Sequence, residues 1–364
     1  MTTPAGRRTH LDVLRGLAVL IMIEAHIIDS WTRSADRGSR AFGESLILGG
    51  FGAPLFLFLA GVAIAMSAGS KARRSGDERA AAAAVRRRGL EIFLLAFLFR
   101  FQSFVLSHAP VWTLLKVDIL NVMGPSMMAA VAVWALFGSV RGRVAAFTAA
   151  TFALVLVTPA VRGFAALGLL PDGVEGYLRP IPGLTNFTLF PWAAFVMGGA
   201  ALGVLLDAAR GETADRKVNL ALLGAGLLIA FCGYRASFLP PLDGKSRFWT
   251  TSASFFFIRF GLMTAAIGLC WLWERRPWHK AWSPLQLLGR SSLFIYWIHV
   301  ELVYGVISNP LHGAFSLRGA WAAFAVFSAA MLCAAVGKDH IKRKYLENRQ
   351  LREKLVRQAQ PLMF

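Results

Sequence analysis

The chain has 364 residues, of which 56% are hydrophobic and 16% are charged, and its mean hydropathy is +0.54. An ordinary soluble domain carries about 25% charged residues, and a single core of this size could not bury so much apolar surface. The composition excludes a soluble enzyme, a disordered chain and a secreted disulfide scaffold. It predicts an all-α fold, a polytopic membrane helix bundle.

The formal charge of +19 comes from 39 Lys and Arg against 20 Asp and Glu. In a soluble protein this excess would indicate a nucleic-acid partner. In a membrane protein it is explained by basic cytoplasmic loops, so we expect no nucleic acid. The three cysteines, Cys232, Cys270 and Cys333, lie in apolar runs without the spacing of a disulfide framework or a metal site, and we expect no metal.

Ten apolar runs follow in chain order, each about as long as the hydrocarbon core of a membrane requires. They are 11–29, 46–68, 89–107, 118–137, 144–160, 188–206, 218–235, 250–273, 286–306 and 319–336. The first run opens after Arg7 and Arg8 without a cleavage site, so it indicates a retained span. The segment 161–187 mixes Pro, Gly and polar residues and indicates a long loop or a re-entrant piece. We expect a membrane domain over 1–337 and a basic, helical cytoplasmic tail over 338–364.

Basic residues are unevenly distributed between the two sides of the predicted membrane. The N-terminal residues, four alternate loops and the tail hold 25 of the Lys and Arg, the other loops hold 10, and 4 lie within spans. Because positive loops stay in the cytoplasm, this split predicts that both termini are cytoplasmic. Contact with anionic membrane lipids is the expected role of the tail.

Ionisable groups inside a span are costly and therefore mark functional sites by default. Five spans place polar side chains in the outer half of the membrane. These side chains are His26, Asp29, Arg100, Gln102, Asp118, Asn121, Arg259, His299 and Glu301. Together they supply possible bases, carboxylates to orient them and donors for a developing negative charge, which is the equipment of acyl transfer. Ion pairs that only hold the helices together are the alternative explanation.

The inner half of the membrane carries a different set of groups. Arg290, Ser291 and Ser292 open the ninth span, where free backbone amides beside an arginine suit a phosphate. A helix cap with an interfacial arginine is the alternative. In the first span, Arg15 lies three residues after Asp12 and can neutralise it.

Several strings resemble a known family and occur in its order. They are Leu11-Asp12-Val13-Leu14-Arg15-Gly16-Leu17-Ala18 with Met22 and His26, Ala53-Pro54-Leu55-Phe56-Leu57-Phe58-Leu59-Ala60-Gly61, Asp118-Ile119-Leu120-Asn121-Val122-Met123-Gly124, Phe190-Pro191-Trp192, and Leu288-Gly289-Arg290-Ser291-Ser292-Leu293 through Tyr296-Trp297-Ile298-His299. Over nearly the whole chain they resemble bacterial relatives of heparan-α-glucosaminide N-acetyltransferase. A histidine on the first span, His26, is instead similar to bacterial acyltransferase-3 proteins, since the lysosomal enzyme has an Asn there and takes its histidine from the following luminal loop.

The resemblance implies transfer of an acyl group, usually acetyl, from cytosolic acetyl-CoA or another acyl-CoA to an amine or hydroxyl of an extracytoplasmic sugar or glycan. It also implies a location in the bacterial inner membrane and a homodimer. We expect His26 to be the general base, Asp29 or Asp118 to orient it, and His299 to be a partner or an alternative base. The groups expected to contact the oxyanion or substrate are Asn121, Arg100, Gln102, Arg259 and Glu301. Those expected to hold the cofactor are Arg15, Arg290, Ser291 and Ser292. A transporter or lipid flippase that uses the same polar cavity for translocation is the alternative.

Overall fold

The computed structural model describes residues 7–107, 110–240, 246–276 and 283–359. This part of the chain is helical and contains no β-strand. The α-helices in order are α1 Thr9–Trp31, α2 Arg40–Gly49, α3 Gly52–Ser75, α4 Glu78–Ser107, α5 Ile119–Leu136, α6 Val140–Gly163, α7 Asp172–Leu178, α8 Leu189–Ala208, α9 Gly211–Ala236, α10 Ala253–Glu274, α11 Pro284–Arg290, α12 Ser292–Tyr304 and α13 Leu317–Ala359.

Eight segments of the described chain are long and apolar enough to cross a membrane. They contain α3, α4, α5, α6, α8, α9, α10 and α13 and coincide with eight of the ten predicted runs, so the prediction of an all-α polytopic bundle is confirmed. The first run forms α1, which carries six ionisable side chains, His10, Asp12, Arg15, Glu24, His26 and Asp29. The ninth run is not continuous: it is divided at Ser291 into α11 and α12.

The segment 161–187 forms short helical turns and α7 between α6 and α8. It is joined to the start of α5 by an isolated β-bridge between Val117 and Thr185. A second bridge, between Thr32 and Phe315, joins the end of α1 to the start of α13 at the same end of the bundle. These links place the connections that follow α1 and α6 beside the mouth of the cavity described below.

Small residues let α3 and α8 approach each other closely, as the run of Gly and Ala around 198–203 predicts. A Cβ added at Gly61 would lie 2.0 Å from the Val196 carbonyl oxygen, and one at Gly199 would lie 2.0 Å from that of Phe58. Gly226 on α9 would clash in the same way with α10. Both pairs of helices are therefore packed backbone against backbone.

The last helix, α13, runs unbroken for 43 residues. The predicted boundary between membrane domain and basic tail, at 337/338, falls inside it, and residues 360–364 of the tail lie outside the described residues. Lys338 donates a hydrogen bond from Nζ to the Ser291 hydroxyl at 3.0 Å. This contact fixes α13 to the break between α11 and α12.

Candidate active site

A cavity of about 1,120 Å³ lies between α1, α3, α4, α5 and α12 and extends along the bundle. At one end, which we call the basic end, its polar lining includes Arg15, Lys71, Arg88, Ser67 and Ser292. At the other, which we call the distal end, it includes His26, Asp29, Arg100, Lys116, Asp118 and Glu301. Apolar side chains such as Met22, Phe56, Ile92 and Met127 line the stretch between them. Its volume slightly exceeds the usual range for a small-molecule site, about 300–1,000 Å³.

Two histidines from distant parts of the chain meet at the distal half of this cavity. His26 on α1 and His299 on α12, 273 residues apart, place Nδ1 of the first 3.0 Å from Nε2 of the second, with their ring planes within 5° of parallel. His299 is fully buried, and its Nδ1 lies 2.7 Å from the backbone carbonyl oxygen of Ile295. His26 reaches the cavity, whereas His299 lies behind it.

The backbone carbonyl fixes where the protons of this pair reside. A carbonyl can only accept, so Nδ1 of His299 carries the hydrogen and, in the neutral ring, Nε2 has the lone pair. That lone pair accepts from Nδ1–H of His26. The Nε2 of a neutral His26 is then left without a proton, which makes it the atom able to accept one from a reactant in the cavity.

The carboxylates predicted to orient His26 have other hydrogen-bond partners in the described structure. Asp29 accepts a hydrogen bond from the Tyr304 hydroxyl at 3.2 Å, and the Tyr304 ring contacts that of His26 edge-on, with centroids 5.2 Å apart. Asp118 forms an ion pair with Arg100. Orientation of His26 comes instead from His299, which sequence reasoning had named as a partner or alternative base.

Asp118 and Asn121 also have a local role that is visible in the sequence. Asp118 is the N-cap of α5 and accepts from the Ile119 backbone N–H at 2.8 Å, while Asn121 accepts from the Asp118 backbone N–H at 3.1 Å. The Asn121 amide donates to the Tyr177 hydroxyl at 3.3 Å. This reciprocal capping satisfies backbone donors at the helix start, and it leaves Asn121 buried outside the cavity lining.

Two further predicted residues lie behind the cavity wall. Gln102 accepts a hydrogen bond from the Trp297 indole N–H at 2.7 Å. Arg259 is buried among aromatic rings, with its guanidinium carbon 4.1 Å from the centroid of Phe255, 5.3 Å from that of Phe195 and 5.7 Å from that of Trp192. Neither side chain belongs to the described lining.

Charged groups at the distal mouth do not all have partners of opposite charge. Glu301 lines the cavity, and one of its carboxylate oxygens is buried without a hydrogen-bond partner in the described structure. The Nε–H of Arg100 is also buried there without a partner. Lys116 lies between α4 and α5, where burial and then the charge of Arg100 lower the pKa of its ammonium below the ordinary value, against the opposing effect of Asp118. Donors and acceptors are thus available at this mouth.

At the basic end, the predicted cofactor residues divide into two pairs. Arg15, which pairs with Asp12 at 3.3 Å, and Ser292 both line the cavity. Ser291 is buried and accepts from Lys338, and Arg290 is exposed outside the described lining.

Lys71 and Arg88 are not among the site residues predicted from the sequence. Both line the cavity. Their signal was hidden because basic residues beside a span are expected for topology alone. Tyr304 and Asn186, also in the lining, lacked any charge that would have marked them.

The fold and the site together define a membrane-embedded helix bundle whose cavity runs from a basic end to an end of mixed charge, where His26 has an unprotonated imidazole nitrogen. The acyltransferase domain of the acyltransferase-3 family matches residues 8–338, so the chain belongs to that family and is, in general terms, a membrane acyltransferase. A comparison with curated proteins finds none that matches.

Proposed function

We propose that this protein transfers an acyl group, acetyl in the first instance, from acyl-CoA held at the basic end to an amine or hydroxyl of a sugar or glycan at the distal end. The observation that carries the proposal is the cavity itself: it runs from Arg15, Lys71 and Arg88 to His26 and Glu301. The basic end corresponds to the predicted cytoplasmic side.

The donor would lie along the cavity with its phosphates at the basic end. Lys71 and Arg88 are cations suited to phosphate oxygens, and Arg15 on α1 lines the same end of the cavity. From Arg15 to His26 the helix rises about 16 Å at 1.5 Å per residue. The apolar lining between them suits the extended pantetheine arm, which would bring the thioester to His26.

The chemistry requires one base and a stabiliser for negative charge. His26 Nε2 would take the proton of the acceptor hydroxyl or amine while the acceptor atom bonds to the thioester carbonyl carbon. The carbon–sulfur bond then breaks, and the departing thiolate takes the proton back from His26. Arg100 lines the cavity at the end that holds His26, so its guanidinium is the donor we assign to the tetrahedral oxyanion.

The finer features of the proposal rest on the likeness of the sequence strings to heparan-α-glucosaminide N-acetyltransferase. They are the acetyl group, the glycan acceptor, the bacterial inner membrane and a homodimer. The family match supports acyl transfer in general and leaves these features to experiment.

The test is transfer of radiolabelled acetyl from acetyl-CoA in vesicles that contain the purified protein, with a panel of sugar acceptors. His26→Ala should lose about 10²–10⁴-fold in rate, the usual worth of a general base. His340→Ala removes an exposed histidine of α13 and should match the unmodified protein. Equal turnover in both variants would end the assignment.

Binding separates the enzyme from a transporter or flippase that uses the same cavity. Acetyl-CoA should raise the melting temperature in a saturable way, and the Lys71→Gln variant should need more acetyl-CoA for the same rise. If acetyl-CoA has no effect while a lipid or sugar crosses the membrane unmodified, the transport alternative is correct.

A further inference from the structure

The cavity has an aromatic wall at the start of α8 and just before it that the proposed chemistry does not use. Phe187 and Trp192 both line the cavity and are only half-buried. Their rings meet edge to face, with centroids 4.8 Å apart and planes at 85°. This pair therefore presents aromatic surface to whatever occupies the distal half of the passage.

The turn that carries Trp192 is held by an arginine from a neighbouring helix. Arg162, near the end of α6, donates from Nη2 to the Phe190 carbonyl oxygen at 2.8 Å and to the Thr188 hydroxyl at 2.9 Å. The Thr188 hydroxyl in turn donates to the same carbonyl at 2.6 Å. Since Thr188 is buried, the position of the following helix start is fixed before any ligand arrives.

The Trp192 ring is also supported on the side away from the cavity. Its centroid lies 5.7 Å from the guanidinium carbon of Arg259 and 6.1 Å from the centroid of Phe195. A cation beside an aromatic ring is attracted by the ring's electron density. Buried Arg259, which has no hydrogen bond to another described side chain, thus holds Trp192 rather than an oxyanion.

Polar groups border this aromatic surface. Asn186 is exposed in the lining, and its side-chain amide has no hydrogen-bond partner among the described residues. Its backbone N–H donates to the Val117 carbonyl at 2.9 Å, which places Asn186 close to Asp118, the next residue along the chain from Val117. An aromatic face beside a free amide and carboxylates matches a pyranose ring, whose C–H face is apolar and whose rim is hydroxylated. A lipid tail has no polar group that could form a hydrogen bond with the amide.

We propose that Phe187, Trp192 and Asn186 form the acceptor subsite, in which a sugar ring lies against the Trp192 ring and hydrogen-bonds to Asn186. This inference rests on the proposed function, because it names where that reaction would hold its acceptor. Arg162 and Arg259 are positioning residues that act through Trp192. The subsite makes Trp192 a determinant of acceptor affinity, with no contact to the thioester.

The first experiment measures steady-state kinetics in vesicles for Trp192→Ala, Trp192→Phe and the control Trp321→Ala on α13. Trp192→Ala should raise the KM for the sugar acceptor about threefold to tenfold, the worth of one aromatic contact, and leave the KM for acetyl-CoA unchanged. Trp192→Phe should restore part of the affinity, and Trp321→Ala should change neither constant. An unchanged acceptor KM, or a rise in the KM for acetyl-CoA alone, overturns the subsite.

The second experiment detects sugar binding without any reaction. Saturation-transfer NMR would use the purified protein and methyl glycosides of glucose, galactose, glucosamine and N-acetylglucosamine as probes. We expect transfer to at least one probe, weakened in Trp192→Ala and retained in Trp321→Ala. The absence of such a signal in every probe overturns the subsite. If binding depends on Trp192 but no acetyl is ever transferred, the proposed function fails while the sugar site stands.

Discussion

Replacing His299 by Phe tests whether the two histidines act as one unit. The substitution removes the acceptor 3.0 Å from Nδ1 of His26 and fills the space with an apolar ring. A buried donor left without its partner costs about 1–3 kcal/mol. If that cost falls on the transition state, in which His26 must hold its proton on Nδ1, kcat should fall about 5- to 150-fold at roughly 1.4 kcal/mol per factor of ten.

The assay is acetyl transfer from radiolabelled acetyl-CoA by His299→Phe, His26→Ala and the double variant. Since His299 reaches the substrate only through His26, the double variant should be as slow as His26→Ala alone, because residues that act as a unit are not additive. His312→Phe is the control, since its ring bonds to Ser308 and the Val303 carbonyl and lies outside the cavity lining.

Two results would refute this reasoning. If His299→Phe were as slow as His26→Ala, His299 would itself be the base or bind the substrate. If the two losses multiplied in the double variant, the histidines would contribute independently and the hydrogen bond between them would have no catalytic role. Melting temperatures of all variants with acetyl-CoA exclude a simple loss of folding.

Three further predictions concern the mouths of the cavity and its surroundings. Lys71→Gln should raise the KM for acetyl-CoA about two- to fivefold, the worth of an exposed charge contact, whereas Arg79→Gln outside the described lining should not; equal effects would contradict a phosphate site. Asp118→Asn leaves Arg100 without its partner inside the bundle and should cost about 3 kcal/mol of stability, so an unchanged melting temperature would show that the pair is not important. Asp36 accepts from the first backbone N–H of α13, which lowers the pKa of its carboxyl; the stability it adds is therefore present above the ordinary pKa and lost as the pH falls. The melting temperatures of Asp36→Ala and the unmodified protein should differ at pH 7, and the difference should shrink as the pH falls below the ordinary pKa of the carboxyl and through its lowered folded-state pKa; a constant difference would reject this account.

The sequence sufficed for the helix bundle because a membrane leaves few choices. A chain crossing hydrocarbon must satisfy every backbone group within itself, so apolar length alone identified eight of the crossing segments. Depth along each helix was also accessible, since residues such as His26 and Asp29 are placed by a constant rise per residue.

The direction in which a side chain points around its helix could not be predicted in the same way. Arg259 has the depth expected of a site residue, yet α10 turns it toward Trp192 and away from the cavity. The contact between His26 and His299 joins helices at opposite ends of the chain, and no local pattern encodes which helices are neighbours. By contrast, the Asp118–Asn121 spacing is a capping signature that could have indicated a structural use from the sequence alone.

The close approach of α3 and α8 decides which walls of the passage are able to move. With no room for even one methyl group at Gly61 or Gly199, neither helix can slide or roll without a collision of main chains. The wall of the cavity formed by these two helices is therefore rigid. Changes in the width of the cavity, which would admit a bulky donor or keep water out, therefore require movement of α4, α5 or the α11–α12 segment. The break at Ser291 is the point at which that segment can bend.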